Sequence, residues 1–99
     1  MIYLSGKIGM KDGELINGGI RSETRQTMLN IQNTLEKYDS KMSDIIKCTC
    51  MLADISEWAS MSEEYVKFFP DNRPARSAFA GTGLARGARV EIECIAKLN

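Results

Sequence analysis

Two short stretches carry residue types that could handle a small acid. In Arg73-Pro74-Ala75-Arg76-Ser77, Arg76 follows a proline and leads a short extended segment. A guanidinium presents a planar fork of donors that matches the two oxygens of a carboxylate, which an ammonium group cannot do. Near the C-terminus, Val90-Glu91-Ile92-Glu93-Cys94-Ile95-Ala96 alternates apolar and acidic residues, as a strand does when its two faces differ. An arginine and a glutamate on neighbouring strands could hold a small carboxylate and move a proton. Each also has a plainer reading. Arg76 could form a surface ion pair, and Glu91 and Glu93 are solvated charges if their face is open to water. If that face is an interface, one of them is half-buried, paired, and open to a shift in proton affinity.

Composition narrows the chemistry further. The chain has no histidine, which removes Ser-His-Asp and Cys-His catalysis, histidine metal sites and imidazole proton shuttles. Acid–base work must then fall to a carboxylate, tyrosine, lysine or cysteine. Cys48, Cys50 and Cys94 sit in apolar strand patterns and read as buried small hydrophobes of a reducing compartment. Cys48 and Cys50 would share a strand face, but the second ligand pair that zinc wants is missing. No metal is expected. Thirteen basic residues balance thirteen acidic ones without blocks of either sign, so a nucleic-acid partner is disfavoured. A charge near zero gives little protection against self-association, which is tolerable where association is intended. No apolar run reaches the length of a membrane span and no charged-then-apolar leader precedes the first strand, so a cytoplasmic protein is expected.

The elements that must position Arg76 and Glu91 follow from periodicity. Residues 1–99 read as one domain, long enough for one modest core. Ile2 to Ile8 reads as a strand, with Gly6 marking either a bulge or a place where a ligand or another backbone comes close. Lys11-Asp12-Gly13-Glu14 reads as a hairpin turn, with a return strand from Leu15 to Gly19. From about Ile20 to Tyr38 the apolar period changes, and Met28, Ile31, Leu35 and Tyr38 form one helical stripe. Ile45 to Leu52 is a strand with Ile46, Cys48, Cys50 and Leu52 on a wholly apolar face and Lys47, Thr49 and Met51 on a mixed one. Asp54 or Ser56 caps a second helix, and Glu57 completes an Asp-x-x-Glu capping box. Its stripe of Trp58, Met61, Tyr65 and Phe68 reads as core, and Pro70 ends it. Ala75 to Ala80 and Arg89 to Lys97 are the last strands. Two helices, each following a strand, should pack on one face of a four- or five-stranded sheet in an α+β layer. The other face stays uncovered and partly apolar, which predicts assembly with further copies.

At this level the residues match a family. Ser5-Gly6-Lys7-Ile8, Gly18-Gly19-Ile20, Arg25-Gln26 with Asn30-Ile31, Asp44-Ile45-Ile46-Lys47-Cys48-Thr49, Tyr65 with Phe68-Phe69, Pro74-Ala75-Arg76-Ser77 and Val90-Glu91-Ile92-Glu93-Cys94-Ile95-Ala96 resemble the Rid family (YjgF/YER057c/UK114), in matching order from residue 2 to residue 96. The resemblance implies a chorismate-mutase-like α+β fold, a mixed sheet with two helices on one face. It also implies a homotrimer whose sheets form a central barrel, with sites between subunits. The implied activity is that of a 2-iminobutanoate/2-iminopropanoate deaminase, which hydrolyses 2-aminoacrylate and 2-aminocrotonate, through their imino tautomers, to 2-keto acids and ammonia without a cofactor. The resemblance assigns Arg76 to the substrate carboxylate, Glu91 to the pocket, and Gly6 and Ala78 to backbone contacts. Ser62 stands where an asparagine is frequent. Family members usually carry one more strand upstream, with a pocket tyrosine, so this chain is expected to lack the family's first strand. The alternatives are a non-catalytic carboxylate-binding trimer, acting as a metabolite sensor or holdase-like partner, and the RNA cleavage of the older L-PSP endoribonuclease name.

Overall fold

In the computed structural model, which describes residues 1–98, the chain opens with strand β1 (Ile2–Tyr3). Beyond it the backbone keeps to the last strand: Leu4 N donates to Cys94 O at 2.9 Å, while Lys7 and Ile92 exchange bonds of 2.8 and 2.9 Å. One more residue separates Leu4 from Lys7 than separates Ile92 from Cys94, so Ser5-Gly6 is a bulge. The expected continuous strand to Ile8 breaks there. Strands β2 (Met10–Lys11) and β3 (Glu14–Leu15) form a hairpin around Asp12 and Gly13, whose φ values of 53° and 82° give the mirror-image turn that suits strand twist. The return strand stops at Leu15 rather than Gly19, because Gly18 and Gly19 adopt positive φ and open helix α1 (Gly19–Glu36). Asn30 Nδ2 ties this helix to the hairpin, donating to Ile8 O at 3.0 Å and Met10 O at 2.9 Å.

The buried stripe of α1 is Thr24, Thr27, Met28, Ile31 and Leu35. Tyr38, expected as its last member, is 63% exposed because the helix ends at Glu36 and Asp39 turns at φ 56°. Strand β4 (Ile45–Leu52) follows, and its inward residues are Ile45, Cys48, Cys50 and Leu52. The expected apolar face began at Ile46 instead. A register shift between Ile45 and Lys47 turns Ile45 into the core and leaves Ile46 40% exposed. A short 3₁₀ turn (Ile55–Glu57) leads into helix α2 (Trp58–Tyr65), with Asp54 Oδ1 accepting from Ser56 N at 2.9 Å. Glu57 does not close the expected capping box; each of its carboxylate oxygens lies 3.0 Å from Arg89 Nη1. Strands β5 (Ala75–Ala80) and β6 (Val90–Ala96) complete the chain.

The four-stranded sheet has the order β1-β6-β4-β5, with β4 and β5 parallel and the other pairs antiparallel. Both helices pack on one face, over a core that includes Met28, Ile31, Leu35, Leu52, Met61, Val90 and Ile92. Each of those fully buried side chains contributes about 1.5–3 kcal/mol of transfer free energy. This is the expected α+β layer. One expectation fails: the strands of Arg76 and Glu91 are not neighbours, because β4 lies between them. The opposite face of the sheet carries Lys47, Thr49, Met51, Glu91 and Ile95, all half-exposed, with Phe79 49% exposed at its edge. Among the described residues no helix is long and apolar enough to cross a membrane.

Candidate active site

Arg76 lies on β5 opposite Cys48 of β4, and so points to the helix side of the sheet, beneath α2. Helix α2 offers Trp58, Met61, Ser62 and Tyr65 at the spacing that lines one helical face. The guanidinium carbon sits 5.4 Å from the centroid of Trp58 and 5.0 Å from that of Tyr65. Nη1 donates to Ser62 Oγ at 3.0 Å and touches Met61 Sδ at 4.0 Å. Each aromatic face holds the cation by about 0.5–2 kcal/mol, more as water is excluded. Arg21, Arg25 and Arg89 are exposed and bond carboxylates. Arg76 is the half-buried arginine, and among the described residues it has no carboxylate partner. A cation seated between aromatic rings and without a carboxylate partner among the described residues can receive an acid. Ala78 lies two residues further along the same face of β5, partly buried against the core.

Glu91 is half-exposed on the opposite, uncovered face, between the buried Val90 and Ile92. The Ser5-Gly6 bulge passes directly beside it. A Cβ on Gly6 would overlap Glu91 Oε2 and stand 3.0 and 3.1 Å from its Cδ and Cγ. The bulge reading of Gly6 holds, and what comes close to it is a side chain of the same chain rather than the expected ligand or second backbone. The missing side chain is the space in which the Glu91 carboxylate rests.

The sequence-predicted residues thus fall into two groups. Arg76, Ser62 and Ala78 form one, Gly6 and Glu91 the other. One chain does not bring the groups together. Arg76 is level with Cys48 and Glu91 with Met51, an odd number of residues apart on β4 and hence on opposite faces. They are also about 10 Å apart along the strand. The sequence reading missed the seat of the arginine: Tyr65 is core as expected, 2% exposed, but Trp58 is 44% exposed, and both rings face the guanidinium. The available signal was Ser62, a small polar residue inside that aromatic stripe and one helical turn from either ring.

The groups beneath Arg76 titrate far from neutrality. Burial first, opposed by the nearby Arg76 charge, pushes the Cys50 thiol up to about 12. Burial and then Cys48 raise the Tyr65 phenol. Neither is a proton carrier at neutral pH.

Comparison with known proteins places these features. The profile of the family described as Endoribonuclease L-PSP matches residues 1–98. The human 2-iminobutanoate/2-iminopropanoate deaminase is 37% identical over 97 residues, an alignment that spans 96% of this chain and 71% of the relative. A solved structure from Entamoeba histolytica bearing the L-PSP endoribonuclease name superposes with a TM-score of 0.94 at 39% identity, over 97% of this chain and 78% of that one. Escherichia coli TdcF, solved with bound serine, superposes with a TM-score of 0.92 at 27% identity, over 98% of this chain and 80% of its own.

Proposed function

The chain belongs to the Endoribonuclease L-PSP family, the Rid family its motifs resemble, and from that premise we propose that it is a 2-imino acid deaminase. Its substrates are 2-iminobutanoate and 2-iminopropanoate, the tautomers of 2-aminocrotonate and 2-aminoacrylate. Its products are the 2-keto acids and ammonia. The observation that carries this reading is Arg76, half-buried between Trp58 and Tyr65, tied to Ser62 through Nη1, and without an acid of its own.

The free edge of the guanidinium takes the substrate carboxylate and so fixes the adjacent C=N bond. A water held by Glu91 adds to that carbon as Glu91 accepts its proton. The carboxyl returns that proton to nitrogen, which gives the carbinolamine; Glu91 then takes the hydroxyl proton and passes it to nitrogen, and the C=O bond forms as the C–N bond breaks and ammonia leaves. The backbone at Gly6 and Ala78 lines the two sides. Glu91 of the same chain is out of reach, so a second copy supplies it. The uncovered sheet face and the balanced charge support a homotrimer with its sheets around a central barrel and its sites at the seams. Three free, buried thiols suit a reducing cytoplasm.

Arg76 and its aromatic seat could bind a carboxylate without Glu91, which keeps a non-catalytic carboxylate-binding trimer as the second reading. RNA cleavage has less support, since the chain has neither histidine nor a basic surplus. To separate them, 2-aminoacrylate is generated from serine by a dehydratase and trapped with semicarbazide. The deaminase suppresses the trapped adduct and Arg76→Ala does not. Tight 2-ketobutyrate binding with no suppression by the wild type would select the second reading.

A further inference from the structure

Cys48 on β4 and Cys94 on β6 are partners in antiparallel register, and both side chains are buried on the helix face, 0% and 2% exposed. Ile92 and Cys94 turn their backbone groups away from β4: Ile92 exchanges bonds with Lys7, and Cys94 O accepts from Leu4 N. Cys48 and Cys94 therefore occupy a non-hydrogen-bonded rung, where opposed Cα atoms lie about 4.5 Å apart and side chains are closest. That spacing is at the short end of the range of about 4.4–6.8 Å that a disulfide spans. Cys50 faces Ile92 instead, two rungs away. On its other side Cys48 is level with Arg76, and the Tyr65 hydroxyl lies beside it.

We propose that Cys48 and Cys94 are a modification site, which hydrogen peroxide converts to a cross-strand disulfide that loosens the aromatic seat of Arg76. One thiol sulfur attacks the peroxide; an S–O bond forms, the O–O bond breaks, and water leaves with the thiol proton. The second sulfur then attacks the sulfenic sulfur, the S–S bond forms, and a second water leaves. Two thiols lose two electrons and the peroxide gains them. Bonding draws the sulfurs to about 2.05 Å, which pulls Cys48 toward β6 and away from Tyr65. The short rung strains the bond, so it is readily reduced again by thiols. Oxidation must wait on local opening, for which β5 is the route, being an edge strand paired on one side only.

The experiment exposes the native protein to hydrogen peroxide and maps peptides without reduction. Cys48 and Cys94 peptides linked, with the loss of two hydrogens, are expected in the wild type and in Cys50→Ala. They are expected in neither Cys94→Ala nor Cys94→Ser. Titration of 2-ketobutyrate, followed by fluorescence of Trp58, the chain's one tryptophan, should show affinity lowered about 2- to 5-fold, the loss of one aromatic contact to a cation, and restored by dithiothreitol. No link while circular dichroism stays native, a link only after unfolding in urea, or a link through Cys50 would overturn the site. A Cys48–Cys94 link with unchanged affinity would overturn its effect on Arg76. The effect on affinity rests on the proposed carboxylate site, whereas peptide mapping does not. A protein that forms the link on oxidation but never turns over imines when reduced would sink the deaminase and leave the disulfide standing.

Discussion

Gly6→Ala separates the placing of Glu91 from the stability of the sheet. Gly6 does not occupy the left-handed region, so alanine can adopt its backbone without strain. The added Cβ overlaps Glu91 Oε2 and meets Cδ and Cγ at 3.0 and 3.1 Å. All three belong to a flexible, half-exposed side chain, so the carboxylate moves and the backbone does not. Forcing Glu91 off its rotamer costs about 0.5–1.5 kcal/mol. The alanine returns about 0.4–1 kcal/mol by restricting the unfolded chain. The net is within about 1 kcal/mol, a melting shift of less than about 8 °C for a domain of this size. Catalysis should be hit much harder. A base displaced by about 1 Å loses on the order of 100-fold, within the 100- to 10,000-fold that a general base supplies. In the semicarbazide assay, kcat/KM of Gly6→Ala should fall about 100-fold while melting barely changes. Because the whole effect passes through Glu91, the double variant Gly6→Ala/Glu91→Gln should match Glu91→Gln alone. Full activity in Gly6→Ala refutes the reasoning. So does a further loss of similar size when it is added to Glu91→Gln.

Arg76→Lys keeps the charge but not the fork, and should raise the dissociation constant for 2-ketobutyrate about 10- to 150-fold, the worth of one charged hydrogen bond, by calorimetry. The Glu64 carboxyl is held at about 2, below its ordinary 4.5, by Arg25 first and then by Lys67 and Arg21. A depressed native value means that its stabilising effect is complete above 4.5 and is lost as pH falls toward 2. Urea midpoints should therefore drop across that window, and less steeply in Glu64→Gln. Ile95→Arg puts a charge on the uncovered sheet face, and should give monomers in the ultracentrifuge together with loss of turnover. Active monomers would exclude a site shared between copies. Ile45→Ala should cost about 2–5 kcal/mol by denaturant unfolding, as a core residue does, and Ile46→Ala much less.

The parts of the fold that read clearly from the sequence are those set by local pattern. The α1 stripe, the Asp12-Gly13 turn and the alternation of β6 each depend on a few adjacent residues. Among the features that did not read, three depend on something nonlocal. The face of Ile46 was set by a register shift against β6, which no property of β4 alone announces. Glu57 had a local partner in Asp54 but found a stronger one in Arg89, distant in sequence. The separation of Arg76 from Glu91 depends on strand order, since β4 inserts between strands that follow each other along the chain. For the candidate site the sequence offered residues but not their grouping. Gly6 beside Glu91 and Ser62 beside Arg76 are contacts made by packing.

That grouping constrains the assembly. A twofold dimer presents the same patch of each copy to the other, so both halves of a shared site must lie on one surface. Here the proposed acid-binding half, Arg76, lies beneath α2 on β5, and the proposed proton-carrying half, Glu91, lies on the far face beside the bulge that follows β1. One surface cannot easily show both to a single partner. A head-to-tail contact can, since it joins the arginine side of one copy to the glutamate side of the next. Repeated contacts of that kind must close into a ring or grow without end. A closed ring gives every copy one complete site and leaves no half unused. The opposite facing of Arg76 and Glu91, which defeats a site within one chain, thus favours a cyclic ring, of which the proposed trimer is one, over a twofold pair.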